Sequence, residues 1–291
     1  MLKKILIIFM AAGLFMGAFD LMFSDSRRKT ESISNSSSPL IVINPETDIG
    51  VIEINGAISF STSGMFERDS VASKAIKDIK YFTNSKVKAL IIRINSPGGT
   101  PSSVQEICYQ LEKFKEKDKN RKIVISVKEM AASGGYYIAA YGDKIVANPA
   151  SILGSIGVIM TMPNFTGLFE KLGIRYNVVK SGKYKDIGNI ARDMEEEEKE
   201  LLQSSVDDIY LQFVEAVSAG RNLSREKVVQ YADGRMFTGR QAVELDFADY
   251  VGDMDKAVEV IKELTGIKKN HKLIYPTMKN NFWEILNELS Y

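Results

Sequence analysis

Two hydrophobic patterns alternate along most of this chain, and together they predict its fold. Short, nearly continuous apolar runs rich in β-branched residues indicate strands that are buried on both faces of a sheet. Segments with apolar residues three or four positions apart indicate helices that cover such a sheet. The predicted strands span 48–58, 87–95, 123–127, 144–147 and 174–180, and the predicted helices span 71–82, 102–114, 136–141, 165–172, 193–220, 225–231, 239–245 and 255–264. Strands that alternate with helices predict an α/β fold built from βαβ units.

The N-terminal segment differs in composition from the rest of the chain. An apolar run over residues 5–23 follows two lysines and reaches the ~20 residues that span a bilayer, so residues 1–23 are predicted to be a membrane anchor that contacts lipid. A cleaved signal peptide is the alternative, although no clean small-x-small cleavage site follows the run. Residues 24–40 are rich in serine and charge, which predicts a flexible tether.

Positive charges flank the apolar run on both sides, and they oppose each other in setting its orientation. Lys3 and Lys4 favour a cytoplasmic N-terminus, whereas Arg27, Arg28 and Lys29 favour the reverse. We take the first orientation, which predicts a single-pass protein of the cell membrane whose globular part is extracytoplasmic.

The globular part is predicted to span residues 41–267. Within it, residues 60–69 are polar and contain glycine, which predicts a mobile loop. Residues 268–291 are predicted to form a C-terminal tail, in which residues 282–289 have the pattern of a short amphipathic helix.

Composition excludes several classes of function. The chain has 291 residues and a net charge of +1, so there is no broad electrostatic basis for binding nucleic acid. Cys108 is the only cysteine, which excludes an intrachain disulfide and a cysteine-rich metal site. No Gly-rich phosphate loop of the Walker type is present. We therefore expect neither a metal nor a cofactor.

Ser133 is the strongest candidate for chemistry. It follows a predicted strand, precedes a predicted helix, and has only alanine or glycine as near neighbours. A nucleophilic hydroxyl needs such a turn, because a substrate backbone can approach it there and N–H groups can bind the developing negative charge. Gly98 and Gly99, after another strand, and Gly134 are candidate donors of those N–H groups. The alternative is a Ser-Gly-Gly loop chosen for turn geometry alone.

The identity of the base that would activate this hydroxyl decides which class of serine hydrolase mechanism applies. His271 is the only histidine, and its Lys-rich surroundings indicate a surface segment, so a Ser-His-Asp triad is disfavoured. Lysine is a known substitute for histidine in such sites, provided that it is desolvated enough to be neutral. Spacing leaves five candidate lysines open: Lys128, Lys144, Lys180, Lys183 and Lys185.

Four motifs make the chain resemble signal peptide peptidase A in its short bacterial, membrane-anchored form, within the Ser-Lys serine protease family S49. They are Asn-Ser-Pro-Gly-Gly at 95–99, Ala-Ser-Gly-Gly-Tyr-Tyr at 132–137, Gly-Ser-Ile-Gly at 154–157 and Ser-Gly-Lys-Tyr-Lys-Asp at 181–186. The resemblance covers most of residues 48–264. It implies a Clp protease/crotonase-like fold of repeated ββα units.

The resemblance also implies roles for the motif residues. Ser133 would be the nucleophile, Lys185 the general base, and Ser155 a partner that orients the lysine amine. The turn at Gly98 and Gly99, together with Gly134, would form the oxyanion hole. The substrates would be apolar peptides, such as signal peptides left in the membrane after cleavage. The chain would form a ring or dome homo-oligomer, since active sites in this family combine elements of adjacent subunits.

Three other functions stay open on the sequence. The first is a crotonase-like acyl-CoA enzyme, in which the Gly-rich turns would bind a thioester oxyanion. The second is a catalytically silent membrane scaffold that keeps the fold for binding. The third is a sibling protease that cuts membrane proteins rather than signal peptides.

Overall fold

The computed structural model describes residues 43–60, 70–268 and 270–276. The strands of this part are β1 (Asp48–Asn55), β2 (Ala89–Ser96), β3 (Lys122–Ala132), β4 (Lys144–Ala147), β5 (Ile152–Gly154), β6 (Met236–Thr238), β7 (Tyr250–Val251) and β8 (Lys272–Ile274). The helices are α1 (Val71–Thr83), α2 (Pro101–Glu116), α3 (Gly134–Ala140), α4 (Thr166–Leu172), α5 (Glu196–Arg221), α6 (Arg225–Tyr231), α7 (Gly239–Glu244) and α8 (Met254–Thr265).

Several sequence predictions fall outside the described residues. They are the membrane anchor at 1–23, the tether at 24–40, all but the first residue of the loop at 60–69, and the amphipathic helix at 282–289. In the part of the chain that the structure describes, no helix combines the length and the apolar character needed to cross a bilayer.

The described strands form one sheet with the path β6-β5-β3-β2-β1-β8, and β4 and β7 branch from β3. All pairs are parallel except β5 with β6. Strand β3 is long enough to serve two neighbours, because its first half pairs with β4 and its last three residues pair with β5. The α/β prediction is confirmed, and the end of β3 lies at the point where its partner changes.

The continuous apolar strands are buried on both faces, as their composition predicts. On β2, Leu90, Ile92 and Ile94 face a cluster that includes α1, α2 and α3, whereas Ala89 and Ile91 face α8. All five side chains have no solvent exposure. This two-sided burial holds the carboxyl ends of β2 and β3, and hence the turns that follow them, in fixed positions.

The predicted strand at 174–180 is wrong. These residues are irregular and exposed, and Val179 is fully accessible to solvent. Their apolar composition is typical of a strand, but no strand of the described chain lies beside them to complete a ladder. Conversely, the sequence does not predict β5 to β8, because each has only two or three residues and is too short to show a hydrophobic period. Strand β8 lies inside the predicted tail and pairs with β1.

Residues 158–195 form a segment that we call the arm. Its helix α4 has no buried residue, and Ile159, Leu172 and Tyr176 expose more than half of their surface. The arm leads into α5, whose buried apolar residues all lie in its second half: Phe213, Val214 and Val217. The first half of α5 therefore extends away from the core and carries the arm with it.

Candidate active site

Ser133 lies between β3 and α3 with a backbone that few residues adopt. Its φ of 49° and ψ of −122° fall outside the regions that L-residues favour. Hydrogen bonds on both sides hold this conformation: the Ser133 N–H donates to the Gly154 carbonyl at 2.9 Å, and the Ser133 carbonyl accepts from Tyr136 and Tyr137 at 2.9 Å. Strain that the surroundings enforce is found most often at functional sites.

The turn after β2 packs directly against the Ser133 turn, and its glycines make this approach possible. Gly98 has a φ of +107°, and a Cβ added there would lie 2.8 Å from both Gly134 N and Ser133 Cβ. A Cβ added to Gly99 would lie 1.8 Å from the carbonyl oxygen of Ile58. No larger residue fits at either position without moving backbone, so the two turns are complementary in shape.

Two of the three candidate donor groups are free to bind a substrate oxygen. The Gly98 N–H is occupied, because it donates to Ser96 Oγ at 3.1 Å. Gly99 forms a parallel bridge with Ile58, in which the Ile58 N–H donates to the Gly98 carbonyl and the Ile58 carbonyl accepts from the Thr100 N–H. The Gly99 N–H therefore points away from Ile58. Gly134 is the first residue of α3, so its N–H has no partner within the helix. Within the described chain, we find no acceptor for either of these two groups.

Ser155 follows the residue that fixes Ser133. Gly154, whose carbonyl accepts from Ser133, has a φ of +90°, and Ser155 itself has a φ of 52°. The Ser155 N–H donates to the Arg235 carbonyl at 2.8 Å. A Cβ at Gly154 would lie 2.7 Å from the ring of Phe237, so this position also requires glycine. Two consecutive left-handed residues thus place Ser155 beside the Ser133 turn.

Ser133, Ser155, Gly99 and Gly134 line one cleft of about 590 Å³. Its walls are mainly apolar and include Val104, Tyr137, Val158, Ile159, Val206, Ile209, Tyr210 and Phe213. Sequence analysis missed the contribution of α5: the apolar stripe of an amphipathic helix predicts burial, but part of this stripe lines the cleft. Such a surface suits an extended peptide with apolar side chains.

Asp207 and Asp233 are the carboxylates in this cleft. Asp233 pairs with Arg235, whose guanidinium lowers the pKa of the Asp233 carboxyl to about 2. Asp207 accepts a hydrogen bond from Gln203 at 2.7 Å. Neither a lysine nor a histidine lines the cleft among the described residues, so this part of the chain supplies no candidate base to the cleft.

The structure does not bring Lys185 to this cleft. Lys185 lies in the arm, where its side chain is exposed and its N–H donates to the Gly182 carbonyl at 3.2 Å. The predicted site residues thus divide into two groups. Ser133, Ser155, Gly99 and Gly134 lie together with Gly98 behind them, and Lys185 lies apart.

Three of the other candidate bases form ion pairs with carboxylates. Lys144 pairs with Asp249 at 2.9 Å, Lys180 with Asp186 at 2.5 Å, and Lys183 with Glu197. A carboxylate partner stabilises the charged form of lysine and makes it a poorer base. Lys128 does not line the cleft, and His271 lines a separate groove beside α8.

The arrangement around Ser133 has the parts that acyl transfer needs. A hydroxyl without a hydrogen-bond partner in the described chain faces a cleft, and two unpaired N–H groups lie next to it. Donors fixed in advance at the position where an oxyanion forms are a major source of catalysis in such reactions.

Comparison with known proteins agrees with this chemistry. Residues 115–268 match the family described as Peptidase family S49. A provisionally named protease of Synechocystis sp. is 44% identical over 219 residues, which are 75% of each chain. A provisionally named signal peptide peptidase SppA of Enterococcus faecium is 37% identical over 73% of this chain and 62% of its own. Protease 4 of Salmonella typhi is 32% identical over 77% of this chain and 35% of its own. The chain therefore belongs to peptidase family S49 and is an SppA-like protease.

Proposed function

We propose that this chain is a serine endopeptidase that hydrolyses apolar peptides, cleaved signal peptides among them, with Ser133 as nucleophile and Lys185 as general base. The observation that carries the proposal is the Ser133 turn, which presents a free hydroxyl beside the unpaired N–H groups of Gly99 and Gly134. The apolar cleft and the printed name of the Enterococcus faecium relative support this substrate class.

The reaction proceeds in two stages. Lys185 Nζ, uncharged, takes the Ser133 proton as Oγ attacks the scissile carbonyl carbon, and the N–H groups of Gly99 and Gly134 bind the oxyanion. Lys185 returns that proton to the leaving amine as the C–N bond breaks, which leaves an acyl-enzyme. A water then gives its proton to Lys185 and attacks the ester carbon, so that the acid product leaves and Ser133 recovers its proton.

Lys185 acts, in this proposal, on the Ser133 of an adjacent copy within a ring or dome homo-oligomer. Two observations support this: Lys185 does not line the cleft of its own chain, and the arm that carries it exposes apolar residues to solvent. An exposed apolar segment that is strand-like in sequence is well suited to pair with another subunit. Ser155, already beside Ser133, would receive the incoming amine and orient it.

Membrane attachment through residues 5–23 completes the proposal. A single-pass anchor with the protease domain on the extracytoplasmic side would hold the cleft near peptides that remain in the bilayer.

Subunit complementation tests the nucleophile, the base and their origin together. Ser133→Ala and Lys185→Ala proteins are each expected to be inactive in hydrolysis of an apolar peptide. When the two are mixed and reassembled, a neighbouring pair with one of each restores a complete site, and random mixing gives about a quarter of the wild-type activity. Full activity of Lys185→Ala alone would reject this base. Mixed oligomers that stay inactive would reject the contribution from an adjacent copy.

A further inference from the structure

An ion cluster ties the residue next to Lys185 to the first turn of α5. Arg192 Nε and Nη2 donate to the two carboxylate oxygens of Asp186 at 3.1 Å each. The same guanidinium donates to the two carboxylate oxygens of Glu198 at 2.7 and 2.5 Å. Arg192 thus bridges two carboxylates with paired hydrogen bonds on each, a geometry that the planar guanidinium provides and an ammonium cannot.

The cluster is set into the protein rather than placed loosely on its surface. The Glu198 side chain is only 2% exposed and that of Asp186 only 11%. Glu198 also accepts a hydrogen bond from the Glu195 N–H at 3.0 Å, which caps α5. Arg192, with this N–H group, lowers the pKa of the Glu198 carboxyl to about 2, so the carboxylate stays charged at neutral pH.

A second pair of contacts holds the other side of Lys185. Lys183 and Tyr184 both contact the carboxylate of Glu197, which is also in the first turn of α5. Side chains on each side of Lys185 therefore contact the same helical turn, directly from Lys183 and Tyr184 and through Arg192 from Asp186. Further along, the same helix supplies Val206, Ile209 and Phe213 to the apolar wall of a cleft. Helix α5 therefore connects the cleft of its own chain with the lysine that the proposal assigns to the Ser133 of an adjacent copy.

We propose that Arg192 is the positioning residue for Lys185: by clamping Asp186 to Glu198, it fixes the direction in which the lysine amine leaves the arm. This inference rests on the proposed role of Lys185 as the base. Arg192 does not line the cleft that holds Ser133, and in this proposal it acts through the neighbouring Asp186. An error of about 1 Å in the position of a catalytic group can lower a rate about 100-fold.

A double-mutant cycle on the assembled full-length protein tests this inference. We would measure kcat and KM for an apolar peptide and the rate at which a fluorophosphonate probe labels Ser133. Arg192→Ala is expected to lower kcat and the labelling rate about 10- to 100-fold, with KM within about threefold of wild type. In the Lys185→Ala background, where peptide hydrolysis is already lost, Arg192→Ala should not lower the residual rate of probe labelling any further, because the group that it positions is gone.

Two variants sharpen the comparison. Arg192→Lys should recover part of the lost rate, because it keeps a charge beside Asp186 but cannot bridge both carboxylates. Lys199→Ala is the matched control, because Lys199 pairs with Glu196 at 2.8 Å in the same helical turn, with both side chains exposed. It should leave kcat unchanged.

Wild-type kcat in Arg192→Ala would overturn the inference, as would an equal loss of the probe-labelling rate with and without Lys185. If Arg192→Ala does not assemble, Asp186→Asn takes its place in the cycle under the same two criteria, because it leaves the pairing of Arg192 with Glu198 intact. Failure of the proposed function has a different signature: Lys185→Ala itself would then hydrolyse peptide and react with the probe at the wild-type rate.

Discussion

The N–H of Ser133 donates a 2.9 Å hydrogen bond to the carbonyl of Gly154, the residue just before Ser155. This bond joins the ends of two neighbouring strands, β3 and β5, at the position where Ser133 and Gly154 both have positive φ. One backbone hydrogen bond therefore holds the two serines of the proposed site together, and a change in the backbone of either turn should displace the other.

Removal of the Ser133 hydroxyl should abolish activity without affecting the fold. The Ser133 side chain makes no hydrogen bond in the described chain, so Ser133→Ala removes the nucleophile and no structural contact. We expect a loss of at least about 1,000-fold in peptide hydrolysis with an unchanged melting temperature. Mass spectrometry of the wild type after fluorophosphonate treatment should find the label on Ser133; a label on another serine would assign the nucleophile elsewhere.

Activity should increase with pH in the wild type, because only neutral lysine accepts the Ser133 proton. The dependence of kcat/KM on pH, measured between about pH 6 and 10, should show this rise in the wild type. Lys185→Ala should remove both the rise and most of the rate. Lys128→Ala, at a lysine outside the cleft, is the control and should keep the wild-type profile. A maximum near pH 5 would contradict a lysine base.

Gly99→Ala should destabilise the protein, because its new Cβ would lie 1.8 Å from the Ile58 carbonyl oxygen and the backbone would have to move. Overpacking of this kind costs about 1–3 kcal/mol, which urea denaturation can measure. Gly167→Ala is the control, since it lies in α4 with no heavy atom within 4 Å of its added Cβ. That variant should be neutral or slightly more stable. Equal stability of the two variants would refute the steric argument.

Tyr136→Phe should lower the free energy of unfolding by about 1–3 kcal/mol. The Tyr136 hydroxyl is fully buried and donates to the Phe247 carbonyl at 2.7 Å, so its removal leaves a buried carbonyl without its partner. Burial also raises the pKa of Tyr136, which keeps this donor protonated. Thermal unfolding of Tyr136→Phe beside Tyr81→Phe, whose side chain is exposed, measures the difference. Identical melting temperatures would show that the hydrogen bond contributes nothing.

The sequence predicts those parts of the fold that are determined by residues close to each other along the chain. Strand β2 is a nearly continuous apolar run and helix α1 has a clear helical period, and the structure places both within two residues of the predicted bounds. The Ser133 turn is likewise predictable, because small residues between a strand and a helix permit a tight backbone.

The remaining features depend on contacts between distant residues. The segment 174–180 has the composition of a strand, but pairing requires a partner that the described chain lacks. Asp186, Arg192 and Glu198 are charged residues six positions apart, a spacing at which side chains do not meet along one helix or one strand. Only the fold shows that they form one cluster. Family resemblance selected Lys185, whereas spacing left five lysines equivalent.

The separation of Lys185 from the cleft of its own chain has a consequence for how the activity would be controlled. Under the proposed arrangement, a newly made subunit is latent, since its nucleophile has no proton acceptor until a neighbour arrives. Specific activity should then fall on dilution as complexes dissociate, and a solitary subunit would be harmless to nearby membrane proteins.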